Sequence, residues 1–358
     1  MKTPFAWTGH VRLVVLMSVA LSISIGQYAV ADDVKNAPSK SPAKEQQDRF
    51  IRVTRDKDDN PLAMQTAIRR YVPADKTKSG PVVDLIAAVH IADAAYYQQL
   101  NQEFERYDAM LYELVAPSGV VPKKGQKRST GFISGLQNMM KDILDLEFQL
   151  NGIDYEKDNF VHADMSPDEF SQTMRDRGES PITIFFRMLQ ASAELQSRRK
   201  REPASPTLVL KAFFDKEQGP GILKRIMADE LSEADVMLEA LNGTSGSTII
   251  TERNKKALKV LRDEIDGGKK SLAIFYGSGH MPDMEKRLIA DFDLQLKETR
   301  WLTAWDLKEK PTKKPIASGT KSGDNKQDKS KPEAKQSTPS QSETPKPSKK
   351  RDAKAPSR

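Results

Sequence analysis

The sequence predicts an α/β fold: a mixed central sheet built from two related halves, with a helical insertion between them. Three observations predict it. Residues 81–92 (PVVDLIAAVHIA) and 271–277 (SLAIFYG) are near-continuous apolar runs, the pattern of strands buried on both faces. Each run delivers a histidine at its carboxyl end, His90 or His280, and helical spacing follows. The stretch between the halves, about residues 130–241, reads mostly as helices.

Composition bounds the folded part. The chain has 358 residues and no cysteine, which excludes disulfides, thiolate metal sites and a lipid-anchored N-terminal cysteine. Residues 1–31 read as a secretory signal peptide: Lys2, His10 and Arg12, then a short apolar run, then Ala29-Val30-Ala31 as a cleavage site. That apolar run is short for a membrane span, and no later segment is apolar enough, so no transmembrane span is expected after cleavage. The expected location is therefore exported, either periplasmic or secreted. Residues 32–48 form a polar, flexible leader. Residues 308–358 are rich in Lys, Pro and Ser and hold too few large apolar residues to fold, so a disordered basic tail is expected. The folded domain then spans residues 49–307. Net charge is +7, much of it in the tail, which would suit an anionic envelope polymer. The tail lacks the aromatic interleaving of a single-strand nucleic-acid binder, so no nucleic-acid partner is expected.

Taken in order, residues 50–53 and 63–72 alternate as strands about a turn cluster at Asp56 to Asn60, a hairpin. Residues 81–92 make a central strand, Asp93 an N-cap, and Tyr96, Leu100, Phe104 and Tyr107 one face of a helix. Residues 109–115 (AMLYELV) form the next strand, with Glu113 inside the apolar run. The βαβ order places the strands ending at His90 and Glu113 parallel and close. A basic loop covers residues 118–130. An amphipathic helix is expected over 131–150, presenting Phe132, Leu136, Met139, Ile143 and Leu150. Residues 160–164 (FVHAD) are a short strand, and Ser166-Pro167-Asp168-Glu169 has the form of a helix start. Helices are expected over 169–177, 181–198, 219–231 and 233–241, while 207–214 reads as either strand or helix. A helix over 250–265 stops at Gly267-Gly268. A helix over 284–292 and an alternating strand over 294–307 end the domain.

Three histidines remain after the signal: His90, His162 and His280. His90, His280 and Glu113, each at a strand's carboxyl end, make a His/His/carboxylate set suited to Zn, Mn, Fe or Co, with positions left open for water and substrate. A carboxylate buried in AMLYELV needs a cation, a metal or a raised pKa. Asn254 falls on the inward face of helix 250–265, with Arg253 beside it. They would orient a carboxylate, a ligand or a loop, or form a salt bridge without chemistry. His162 and Asp164 point the same way on an extended segment, either behind a metal ligand or as a surface turn and helix cap. No phosphate loop and no nucleophile elbow is present, and Gly277-Ser278-Gly279 lacks the third glycine and acidic partner of a dinucleotide site.

Gly277-x-x-His280, followed by Met281-Pro282, resembles the second GxxH motif of the TraB/GumN family, relatives of the Tiki metalloproteases. His90 stands where the first such motif places its histidine. Tyr112-Glu113-Leu114 resembles the family's glutamate strand, and Thr251-Glu252-Arg253-Asn254 is similar to its Glu-Arg-Asn/Asp helix start. The order agrees over residues 82–115 and 249–288. The first motif departs, with Ala87 in place of glycine. The resemblance implies a metal-dependent hydrolase of peptide or amide bonds, with a divalent ion (Zn, Mn or Co) and a peptide or protein substrate. His90 and His280 would be ligands, and Glu113 either a third ligand or the general base for a water. Arg253 and Asn254 would hold the carboxylate or a developing oxyanion. Two other readings stand beside it. One is a non-catalytic module of the same fold that holds a metal, haem or peptide. The other is an envelope interaction protein working through its basic tail.

Overall fold

The computed structural model describes residues 49–77, 79–123, 144, 146–198, 204–232, 238, 241–243 and 245–309. The expected signal peptide, leader and basic tail, most of the expected helix over 131–150 and most of that over 233–241 lie outside the described residues.

The fold is mixed α/β, as the sequence predicts. Strands β1 (Ile51–Arg55) and β2 (Pro61–Pro73) form the expected antiparallel hairpin, with Ile51 opposite Thr66. Its turn is pinned by Asp56, whose Oδ1 accepts from the backbone N–H groups of Asp58 and Asn60. Strand β3 (Val82–Ala88) follows, then a bend at His90 and the short β4 (Ile91–Ala92). Helix α1 (Ala94–Phe104) leads to β5 (Ala109–Tyr112). After them come β6 (Glu147–Phe148), the single turn α2 (Gln149–Gly152) and β7 (Phe160–His162). The insertion continues as α3 (Pro167–Asp176), α4 (Pro181–Arg198), α5 (Pro206–Phe214) and α6 (Gly219–Ser232). A π-turn, Thr248–Glu252, opens α7 (Arg253–Asp266). Then β8 (Ser271–Gly277), a 3-10 turn (Ser278–His280), α8 (Met281–Phe292) and β9 (Leu294–Asp306) complete the domain.

The strands form one sheet in the order β1-β2-β3-β8-β5-β7, and β9 also pairs with β2. Long β2 pairs with β1 along its first half, with β3 further on and with β9 along most of its length, always antiparallel. Strands β3, β8, β5 and β7 run parallel. The strands ending at His90 and Glu113 run parallel, as expected, and are separated by the single strand β8, which joins the sheet only after the whole insertion. β8 suits the central slot: Leu272, Ala273, Ile274, Phe275 and Tyr276 are all fully buried.

The two-residue period of the strands sorts their side chains into two cores. On one face Ile86, Ala88, Met110, Tyr112, Ala273 and Phe275 pack with Tyr96, Tyr97, Leu100 and Phe104 of α1. On the other, Val83, Leu85, Ala87, Leu111, Ile274 and Tyr276 pack with Leu258 and Leu261 of α7 and Met281, Met284 and Leu288 of α8. Strand–helix alternation thus builds a three-layer domain, with the carboxyl ends of four parallel strands gathered at one edge.

Local signals explain most boundaries. Ser166 and Glu169 form the capping box that starts α3. The ambiguous stretch 207–214 is helical, because Ser205 caps it by accepting from the Leu208 N–H and Pro206 occupies its first turn. Asp93 departs from expectation. It stands at the N-cap position of α1 but makes no cap bond. Its Oδ1 binds the Lys224 ammonium at 2.5 Å and its Oδ2 accepts from the Asp306 N–H at 2.6 Å, tying β9 and α6 to the start of α1.

One buried carboxylate locks the sheet. Asp84 is fully buried in β3 and accepts from Arg70 Nε and Nη2, both at 2.9 Å, and from the Tyr107 hydroxyl at 2.6 Å. Removing it leaves Arg70 only its contact with Glu298 and Tyr107 only its longer bond to Glu103. Asp84→Ala is expected to lower the unfolding free energy by about 2–4 kcal/mol in a urea titration; a loss under about 0.5 kcal/mol would mean that water replaces the carboxylate.

Candidate functional site

The site is built at the carboxyl ends of β3, β8, β5 and β7. Glu113 directly follows β5. Its Oε2 accepts from the backbone N–H of Gly277 at 2.7 Å, a contact that exists because β8 is the neighbour of β5. A side chain at Gly277 would bring a Cβ to 3.3 Å from that oxygen and 3.8 Å from His280 Cδ2, so glycine permits the approach. Glu113 Oε1 accepts from Arg253 Nη2 at 2.7 Å.

Arg253 opens α7 and is buried. Its guanidinium forks onto Asp164, just after β7, with Nε to Oδ1 at 2.9 Å and Nη2 to Oδ2 at 2.6 Å. Buried Asp164 and partly buried Glu113 therefore share one guanidinium. Among the described residues no second arginine or lysine pairs with either.

His280 ends the 3-10 turn after β8. Its Nδ1 lies 2.6 Å from Asn254 Oδ1, while Asn254 Nδ2 donates to the His280 carbonyl at 3.0 Å and to Asp283 Oδ2 at 2.8 Å. With Nδ2 committed to two acceptors, Oδ1 must accept, so Nδ1 carries the proton. The Nε2 lone pair then faces the cluster, 3.6 Å from Glu113 Oε1 and 3.4 Å from Arg253 Nη1. Tyr276 closes the far side. Its ring meets His280 edge to face at 5.2 Å, and its hydroxyl donates to the Ala163 carbonyl, which precedes Asp164.

His90 lies in the bend between β3 and β4 and is exposed. Its Nδ1 is 3.1 Å from Gln149 Oε1, and the Gln149 N–H donates to the His90 carbonyl at 2.9 Å. Ala87, the residue that departs from the glycine of the first motif, sends its methyl into the core shared with Leu85 and Tyr276.

Burial alone would raise the Glu113 pKa. Arg253, His280, His90 and the Gly277 N–H outweigh it and hold the carboxyl well below its usual range. Burial pushes His280 down to about 4 against the upward pull of Glu113, so its imidazole is neutral at pH 7. Burial disfavours the Arg253 charge, yet Asp164 and Glu113 raise its pKa further above the ordinary value.

The structure thus brings Glu113, Arg253, Asn254 and His280 into one cluster, with His90 near enough to act on the ionisation of Glu113 and His280. Arg253 holds the carboxylate. Asn254 holds the histidine, and its amide is fully occupied there. His162 donates from Nε2 to the Leu114 carbonyl at 2.6 Å and packs on Tyr112, which steadies the segment on either side of Glu113. Asp164, read as either a second layer or a helix cap, is the buried partner of Arg253. Gln149 and the Gly277 N–H have no signal in the sequence, since one comes from the insertion and the other is backbone.

The donor chemistry suits a divalent ion: a neutral imidazole at His280 and an ionised carboxylate at Glu113. Among the described residues no three His, Asp or Glu side chains stand at the spacing of a metal shell. Glu113 Oε1 is turned toward Arg253 instead. No family model, curated protein or solved structure matches the chain.

Two outcomes follow from this cluster. Arg253→Met leaves buried Asp164 and partly buried Glu113 without their cation and is expected to destabilise the fold by about 3–5 kcal/mol in chemical denaturation. The second concerns acid, in protein treated with chelator. The folded His280 value, about 4, lies below the ordinary 6.5, so the unfolded chain takes up the proton first. Its contribution to stability is complete above that ordinary value and is lost as pH falls through the folded one. Stability should decline over this window, and His280→Gln should flatten the decline; an unchanged slope in the variant would assign the decline to other groups.

Proposed function

We propose that this chain is an exported, metal-dependent hydrolase of peptide or amide bonds. One observation carries the reading: the His280 Nε2 lone pair is locked beside an ionised Glu113 in a cluster where, among the described residues, two carboxyl groups share one guanidinium. His280, Glu113 and His90 would hold the ion. A divalent ion such as Zn, Mn or Co supplies Lewis acidity, which acidifies water and polarises a carbonyl.

The chain's own residues divide the remaining work. Asn254 sets the tautomer and direction of His280. Arg253 and the Gly277 N–H aim the two oxygens of Glu113. A carboxyl held this far below neutrality is a poor general base, so of the two expected roles the ligand role is favoured. His90 lies on the exposed side, where a substrate would meet the site. The likeness to the TraB/GumN motifs supports the reaction and the peptide substrate, and the signal-like residues 1–31 support export. Among the described residues no helix is long and apolar enough to cross a membrane.

A second reading is a non-catalytic binding module. The contact that favours it is Arg253 on Glu113 Oε1, an oxygen a ligand would need to free. Elemental analysis and a peptide-cleavage screen separate the two. The hydrolase should carry about one Zn, Mn or Co per chain, lose it in His90→Ala and His280→Ala, and lose at least a hundredfold in turnover with chelator. Metal without turnover would favour the binding module, and no metal would end both metal readings. Removing residues 308–358 should leave cleavage unchanged; its loss would point to an interaction protein working through the tail.

A further inference from the structure

We propose that Gln149 and Tyr155 are positioning residues that fix His90 in the tautomer a metal ligand needs, so that the insertion completes the site. The inference rests on the reading of His90 as a ligand. On its own, His90 has little to orient it. It lies in a bend between two strands and is exposed, and an imidazole there would rotate and exchange its proton between both nitrogens.

Gln149 grips it at two points. Its backbone N–H donates to the His90 carbonyl at 2.9 Å, and its side-chain Oε1 lies 3.1 Å from His90 Nδ1. The amide meets Tyr155 at its other end, with Gln149 Nε2 donating to the Tyr155 hydroxyl at 2.9 Å. Oε1 is then the acceptor toward His90, Nδ1 carries the proton, and Nε2 is left with its lone pair. Both supporting residues are almost fully buried, at 6 % exposure for Gln149 and 2 % for Tyr155. The Ile91–Phe148 pair of the β4–β6 ladder holds this segment beside His90. The Tyr155 ring packs on Tyr112 at 5.1 Å, and Tyr112 immediately precedes Glu113. The grip therefore ties His90 to the strand that carries the carboxylate.

The same device occurs on the other histidine. Asn254 meets His280 at Nδ1 through Oδ1 and at its carbonyl through Nδ2. Two residues from unrelated segments, one in the insertion and one at the start of α7, each meet a histidine at Nδ1 through an amide oxygen and at its backbone carbonyl through an N–H, from the backbone in Gln149 and from the side chain in Asn254. Each frees Nε2. Packing alone would not require the same nitrogen to be engaged twice.

The test uses the whole mature chain with Gln149→Leu, Gln149→Glu and Tyr155→Phe, and thermal melts to confirm folding. Long-range proton–nitrogen correlation spectra of the metal-free protein read the His90 tautomer. Wild type and Gln149→Glu should show the Nδ1–H form, and Gln149→Leu a mixture. Calorimetric titration with Zn or Mn alone should give a 10- to 100-fold weaker affinity for Gln149→Leu. Gln149→Glu should stay within about threefold of wild type, as expected when the acceptor facing Nδ1 is kept. Should Gln149→Leu fail to fold, Tyr155→Phe carries the test through a smaller shift of the same signals. An unchanged tautomer in folded Gln149→Leu, or in Tyr155→Phe where that variant carries the test, overturns the proposal, as does an unchanged affinity in Gln149→Leu. Failure of the hydrolase reading looks different: wild type binds neither metal, while the His90 tautomer still responds to Gln149→Leu.

Discussion

The guanidinium of Arg253 is the contact on which the site depends. It bridges Glu113 after β5 and Asp164 after β7, two carboxyl groups on neighbouring parallel strands. Buried charges are costly unless paired and hydrogen-bonded, and here a single cation serves both. The fork of arginine suits the task, since Nε and Nη2 reach both oxygens of Asp164 while Nη2 also reaches Glu113. A lysine could not span that arrangement from one point charge. The bridge keeps Glu113 ionised in a place where burial would otherwise protonate it.

Around that bridge the chain repeats one solution twice. A buried parallel strand ends in a histidine, and an amide from elsewhere engages its Nδ1. The two strands, β3 and β8, are neighbours, with Ala88 opposite Gly277. The carboxyl edge of a parallel sheet is where α/β folds gather reactive groups, because side chains leaving several strands converge there without loops of their own. The Ala87 methyl packs into the core on the face of α7 and α8, while residue 277, where the backbone must approach a carboxylate, is glycine.

Much of the fold was legible. The apolar runs at 81–92 and 271–277, the hairpin about Asp56 to Asn60, and the capping box at Ser166 carry local signals that tertiary contacts did not overrule. Other features were not. Asp93 has the residue type of a cap, yet Lys224 and the Asp306 N–H, distant in sequence, compete for it and win. Residues 207–214 are apolar apart from Thr207 and Lys211, too few polar positions for periodicity to choose between strand and helix, although the Ser205-Pro206 start could have. Asp164 reads as a turn residue, and only its contact with Arg253, 89 positions away, reveals its role.

By itself the sequence determined the local grammar: which runs are buried strands, which faces of the helices are apolar, and which polar residues stand where apolar ones are expected. These follow from periodicity, caps and the cost of burying charge, all readable over a few residues. Strand order was decided only by the tertiary structure. Inserting β8 between β3 and β5 is a matter of long-range closure, and it turned Gly277 from a motif residue into the backbone donor for Glu113. The tertiary structure also decided the proton positions on the two histidines. A tautomer is set by the partner of the other ring nitrogen, and here those partners lie 59 and 26 residues away.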